Sequence, residues 1–191
     1  MFPRIISIVC VFLFSLVSCG LKTEESNINS LKSRQVQVSK DKMNIIHSSG
    51  LENSAENKYS ASFIHYIDEK YCSICELKTM YMWDSFIQDH TILNNVEFIF
   101  IVYNSKYNKN QIEDAINLNY CEQTIYLDTL GVFLKENPHI PLDKKYHSFL
   151  LDKNNNVIVV GNPLYNSKIE NLLILVLENI IAKDRIYTEN H

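Results

Sequence analysis

The chain has no run of basic residues, no internal repeat, no second Cys-x-x-Cys and no paired histidines at metal-binding spacing. Each absence removes a class of function. Eighteen Lys and Arg stand against 22 Asp and Glu, a net charge of −4. A weakly acidic chain without clustered Lys or Arg has no electrostatic footprint for nucleic acid. Without a second cysteine or histidine pair, a tetrahedral zinc site is incomplete. What remains is ordinary for a globular protein: 191 residues, 46% hydrophobic and 21% charged, enough for one domain with a core of its own.

The N-terminal apolar run is short as well. Ile5–Val17 follows a single positive charge, Arg4, and a membrane-spanning helix needs about 20 apolar residues. A positive start, an apolar middle and small residues at the end predict a secretory signal peptide over residues 1–18. It closes on Leu16-Val17-Ser18-Cys19-Gly20, which resembles the lipobox of bacterial lipoproteins. That resemblance implies cleavage before Cys19, lipid on Cys19, and a membrane-anchored protein of the cell envelope, either periplasmic or on the outer membrane. The five cysteines then divide by role. Cys10 leaves with the signal and Cys19 carries lipid, so only Cys72, Cys75 and Cys121 belong to the folded part. Three cysteines do not make a disulfide-stapled scaffold, even where disulfides persist.

From Cys19 to residue 58 the sequence is rich in Ser, Asn, Lys and Glu, and predicts a flexible tether with a short ordered piece near Gln35–Ile46. Residues 59–185 form the expected domain and 186–191 a tail. Within the domain, Ser62–Ile67 reads as a strand and Cys72–Gln88 as one helix, with Leu77, Met80, Tyr81, Trp83 and Ile87 near helical spacing. Val96–Tyr103 is apolar enough to be a strand buried on both faces. Lys109–Asn119 predicts a helix with Ile112, Ala115, Ile116 and Asn119 on its inner stripe. Thr124–Leu127 is a short strand, and Leu130–Glu136 one or two helical turns. Ser148–Asp152 and Val157–Gly161 flank an Asn-rich turn and predict an antiparallel hairpin. Ser167-Lys168-Ile169-Glu170 reads as a capping box that opens the last helix. This order predicts an α/β fold, a mixed central sheet with helices on both faces.

Chemistry concentrates at Cys72-Ser73-Ile74-Cys75, where a strand gives way to a helix. At a helix N-terminus the unpaired backbone N–H groups favour a thiolate. One helical turn separates the two sulfurs, close enough to close a disulfide. Such a pair exchanges disulfides: the first thiolate attacks, and the second resolves the mixed disulfide.

With these residues the chain resembles the thioredoxin superfamily, in particular TlpA-like redoxin lipoproteins of Bacteroidetes type. The resemblance runs from about Ser60 to Ile181. It rests on Tyr71-Cys72-Ser73-Ile74-Cys75 after a strand, Tyr126-Leu127-Asp128, Phe149-Leu150-Leu151-Asp152, and Val159-Val160-Gly161-Asn162-Pro163 before the last helix. It implies a thioredoxin-like fold, Cys72 as nucleophile and Cys75 as resolving cysteine. No cofactor or resident metal is called for. The implied partners are thiol- or disulfide-bearing proteins, the membrane through the lipid, and a membrane electron donor if the reaction is reductive. Three departures stand out. Tyr71 replaces the usual Trp, and Tyr66, with His65 beside it, replaces an acid or amide. The cis-proline that lines the family's substrate groove is missing, its place falling at Tyr146 or His147, where a trans bond is expected.

Tyr66, Tyr71, Tyr146 and His147 are therefore the candidate neighbours of the cysteines. Alternatives stay open: a structural disulfide without turnover, a redox-inactive scaffold, or a zinc or copper site completed by His147. His65 alternates with Phe63 and Ile67 and reads as a satisfied sheet histidine, Tyr66 as packing beneath the site, and Cys121 as a buried, inert thiol. Asp128 and Asp152 read as strand-end carboxylates that shape turns.

Overall fold

The computed structural model describes residues 23–47, 59–106, 109–117 and 122–189. The expected signal peptide over residues 1–18, Cys19 and Cys121 lie outside the described residues. Twelve elements follow in order. They are α1 (residues 23–32), β1 (Asn44–His47), β2 (Ala61–Ile67), α2 (Ser73–Leu77), α3 (Tyr81–Asp89) and β3 (Val96–Tyr103). Then come α4 (Lys109–Asn117), β4 (Ile125–Asp128), α5 (Val132–Glu136), β5 (Ser148–Leu151), β6 (Val157–Val160) and α6 (Ser167–Glu189).

The strands form one mixed sheet in the order β1-β4-β3-β2-β5-β6. β2 lies at its heart, parallel to β3 from Ala61↔Val96 to Ile67↔Val102 and antiparallel to β5. Six of its seven residues are buried, because its alternate side chains face two different cores. Phe63 and Ile67 join Leu77, Met80, Trp83, Phe100, Ile112, Leu173 and Leu177 beneath α2, α3, α4 and α6. Ile64 and Tyr66 join Leu31, Val36, Met43, Phe133, Tyr146 and Phe149 on the other face. The expected sheet with helices on both faces is what forms.

The polar segment after Cys19 is ordered over more of its length than its composition predicts. Residues 23–47 carry few apolar side chains, but those few are placed to pay for folding. Leu31 and Val36 are fully buried, and β1 pairs antiparallel with β4 at the sheet edge. Hydrogen bonds fasten the segment along its length: Ser30 to the His139 carbonyl, Asn137 to both the N–H and the C=O of Gln37, and Val36 N–H to the Asn155 carbonyl. The tether reading therefore does not hold for residues 23–34, while the ordered piece expected near Gln35–Ile46 is present. A composition average hides the two or three residues that do the packing.

Three boundaries differ from expectation. The single helix from Cys72 divides at residues 78–80, where Thr79 N–H and hydroxyl both reach the Glu76 carbonyl and Met80 N–H bonds to Leu77. A threonine hydroxyl that competes for a backbone carbonyl interrupts an α-helical ladder. The last helix is capped by Asn166, whose Oδ1 accepts from Lys168 and Ile169 N–H at 3.0 and 3.3 Å, and not by a Ser167–Glu170 box. It runs on to Glu189, into the expected tail. The Asp152 carboxylate, as expected, organises the β5–β6 turn by accepting from Asn154 and Asn156 N–H.

Leu31→Ala tests whether α1 is part of the cooperative fold. Burial of a leucine at a site this closed predicts a loss of about 2–5 kcal/mol in a urea unfolding curve; an exposed tether residue would give almost none.

Candidate functional site

Every parallel strand of this sheet points its C-terminal end the same way, and β2 delivers the cysteines there. Asp68 follows β2, almost fully buried, and its carboxylate accepts from the Lys70 N–H at 3.0 Å. The short 3₁₀ turn Glu69–Tyr71 leads to Cys72, whose φ of 49° is left-handed. A non-glycine residue pays roughly 1–2 kcal/mol for that conformation. It lets the chain reverse sharply from strand into α2, and the Cys72 carbonyl then accepts from Cys75 and Glu76 N–H.

Cys72 and Cys75 form a disulfide, with Cα atoms 5.3 Å apart. Both residues are exposed. Ser73 between them is fully buried, and its hydroxyl has no partner. Because α2 is only five residues long, dipole support for a thiolate at Cys72 is weaker than an unbroken helix would supply.

A cavity of about 190 Å³ lies between the β2 end, the turn before β5 and the segment after β6; Tyr71 and Glu76, which flank the cysteine pair, line it, and the cysteines do not. Tyr66, Tyr71 and His147 all line it, as do Asp68, Glu76, Lys144, Lys145, Asn162 and Tyr165. Tyr71 donates its hydroxyl to the Leu142 carbonyl at 3.2 Å, while Lys144 Nζ sits 5.6 Å from its ring centre and 3.7 Å from Glu76. These contacts lock the turn before β5 against the cysteine segment. Of the four neighbours expected from sequence, Tyr146 alone turns away. It is buried in the second core, its hydroxyl accepting from Asn27 at 3.3 Å.

His147 holds the place just ahead of β5, and no cis peptide bond occurs among the described residues. Its carbonyl accepts from Tyr66 N–H at 2.9 Å, which ties the turn to β2. Its Nε2 lies 3.0 Å from the Pro141 carbonyl. A carbonyl only accepts, so Nε2 carries the proton and Nδ1 is left as a bare acceptor, buried without a partner. Burial lowers the pKa of His147, against the opposing pull of the Pro141 carbonyl and Asp68. Tyr66 packs on Phe133 and edge-on to His147, its buried hydroxyl also unpartnered. Burial first, then Asp68 and Asp128, keep that phenol protonated well beyond its usual range. Among the described residues no three His, Cys, Asp or Glu side chains are grouped to hold a metal, with Cys72 and Cys75 joined in the disulfide.

His65 is the sheet histidine its alternation predicts. It is buried between Trp83 and Phe100, with Nδ1 2.8 Å from Ser148 Oγ. Asp128 serves α5, accepting from Val132 and Phe133 N–H at 2.9 Å each. The pocket residues that sequence reading missed, Asp68, Glu76, Lys144, Lys145, Asn162 and Tyr165, come from three distant segments; only Asp68 carried a signal, as one of two acids, with Glu69, between β2 and the cysteines.

The architecture is α/β and thioredoxin-like: β2-α-β3-α-β4, then the β5–β6 hairpin and a closing helix, with the Cys-x-x-Cys after the central strand. Solved structures of similar trace include StoA from Bacillus subtilis, at 26% identity over 56% of this chain and 77% of that one, TM-score 0.43. A thiol-disulfide oxidoreductase from Bacteroides fragilis is 12% identical over 73% of this chain and 99% of that one, TM-score 0.45. The thioredoxin domain of a thiol-disulfide oxidoreductase from Bacteroides vulgatus is 16% identical over 58% and 77%, TM-score 0.40. No protein-family model and no curated protein matches the chain. The chemistry is therefore argued from the residues themselves.

Burial lowers the His65 pKa from 6.5 to about 4, with a smaller contribution from His147. The unfolded chain takes up this proton first, so stability is lost as pH falls from 6.5 towards 4 and is unaffected above 6.5. The lowering corresponds to about 3 kcal/mol at full extent. Urea unfolding at pH 7.5 and pH 4.5 should show His65→Asn losing less stability on acidification than the wild type, by about 2 kcal/mol.

Proposed function

We propose that this protein is an extracytoplasmic, lipid-anchored thiol–disulfide oxidoreductase acting through Cys72 and Cys75. The observation that carries the reading is the exposed disulfide itself, just past the end of the central strand, with its flanking residues Tyr71 and Glu76 lining a cavity. A bond kept only for stability gains most by closing a long loop; this one closes a single helical turn and leaves both sulfurs open to solvent. The signal peptide and lipobox supply the location. No helix of the described residues is long and apolar enough to cross a membrane; the lipobox-like Leu16-Val17-Ser18-Cys19 supports attachment through lipid on Cys19.

In the reductive direction the Cys72 thiolate attacks one sulfur of a substrate disulfide. The other substrate sulfur leaves as a thiolate, and Cys72 is held in a mixed disulfide. The Cys75 thiolate then attacks Cys72 Sγ, expelling the second substrate thiolate and closing the Cys72–Cys75 bond. The substrate gains two electrons and, at neutral pH, two protons. A dithiol donor restores the pair by the reverse sequence, and a membrane electron donor fits the proposed location. Substrates are thiol- or disulfide-bearing proteins.

Tyr66 and His147 line the cavity in the place where the family carries an acid and a cis-proline, with Tyr66 Oη and His147 Nδ1 themselves buried and unpartnered.

Cys72→Ser should abolish reduction of insulin disulfides by the mature protein, while Cys75→Ser should accumulate mixed disulfides visible on non-reducing gels. A Cys72–Cys75 bond that opens only to strong reductant would end this reading.

A further inference from the structure

The described fold begins at the same end of the molecule as the disulfide. Helix α1 runs the length of the second face with a definite direction. At its start Glu24 pairs with Lys145 at 2.8 Å and Asn27 donates to the Tyr146 hydroxyl. Beyond its end, Val36 bonds to Asn155, in the β5–β6 turn at the far end of the sheet. The chain therefore enters the fold at the cysteine end, against Lys145, which lines the cavity next to Tyr71. Only residues 20–23 separate Cys19 from Glu24, and five Cα–Cα steps reach at most about 18 Å. An ordered domain that begins this close to its lipid cannot stand off from the bilayer.

Three large apolar side chains stand exposed at this end, among charged neighbours such as Lys70 and Lys106. Leu130 after β4, Leu142 before β5 and Tyr165 after β6 are 67%, 60% and 64% exposed. The contact between Leu142 and Tyr71 places that leucine beside the cysteines. The opposite end closes with Lys153-Asn154-Asn155-Asn156, a fully polar turn. Exposed leucine and tyrosine side chains suit the headgroup region of a membrane. Charge contributes little: Lys144 and Lys145 are matched by Glu76, Asp143 and Glu24.

We infer that the Cys72–Cys75 end of the domain is held against the bilayer surface, with Leu130, Leu142 and Tyr165 in the headgroup layer. Its exchange partner is then a cysteine pair carried in, or just above, that membrane. The inference rests on the lipid-anchor reading and adds an orientation to it.

The test uses the lipidated protein in vesicles carrying a headgroup-level nitroxide quencher, with Cys121→Ser throughout. A fluorophore on Cys72, in Cys75→Ser, should be quenched severalfold. A fluorophore on Asn154→Cys, in Cys72→Ser and Cys75→Ser, should not. Inserting about 20 Gly and Ser residues after Gly20, about 25 Å of mean reach, should release most of the quenching at Cys72 if the short leash holds it there. Equal quenching at Cys72 and Asn154, or none at Cys72, in protein whose mass shows lipid on Cys19, overturns the orientation while leaving the anchor intact. Mass without lipid on Cys19 overturns both.

Discussion

Burial of β2 on both faces is the constraint on which the rest of this structure depends. Its seven residues pair with β3 on one side and β5 on the other, and their side chains enter two separate cores. A strand so held cannot slip by one residue, because a slip would exchange Phe63, His65 and Ile67 for Ile64 and Tyr66 on each face. The position of Cys72, five residues past its end, is fixed by that register. So is the approach of His147, whose carbonyl is bonded to Tyr66.

The site is a meeting of an oxidisable pair with a neutral, partly aromatic cavity. His65 and His147 are both held neutral by burial, and Tyr66 stays protonated. The formal charges around the cavity are paired or hydrogen-bonded: Lys144 with Glu76, Lys145 with Glu24, and Asp68 with the Lys70 N–H. Exchange chemistry at such a site depends on the sulfurs and on what can approach them. Electrostatic attraction of a charged substrate has little to work with.

Much of this was legible in the sequence. The continuous apolar run Val96–Tyr103 announced a central strand, the Asn-rich turn announced the hairpin, and the Cys-x-x-Cys fell where strand gives way to helix. The misses share a physical cause, the competition between local patterns and particular hydrogen bonds. Thr79 breaks an amphipathic pattern that otherwise continues from Cys72 to Gln88. Asn166 takes the cap one residue before the apparent capping box. Leu31 and Val36 anchor a segment whose average composition is that of a tether.

The sequence by itself determined the pair of cysteines, their place after a strand, and the apolar alternation that sets the sheet. These are local, written in neighbouring residues, and no packing can change them. Only the tertiary structure decided that Tyr66, Tyr71 and His147 share a cavity while Tyr146 turns into the core. Only it decided that α1 enters the fold at the cysteine end. Those facts depend on segments roughly 75 to 120 residues apart meeting across a twisted sheet, and the spacing of residues along a chain does not record which distant surfaces will touch.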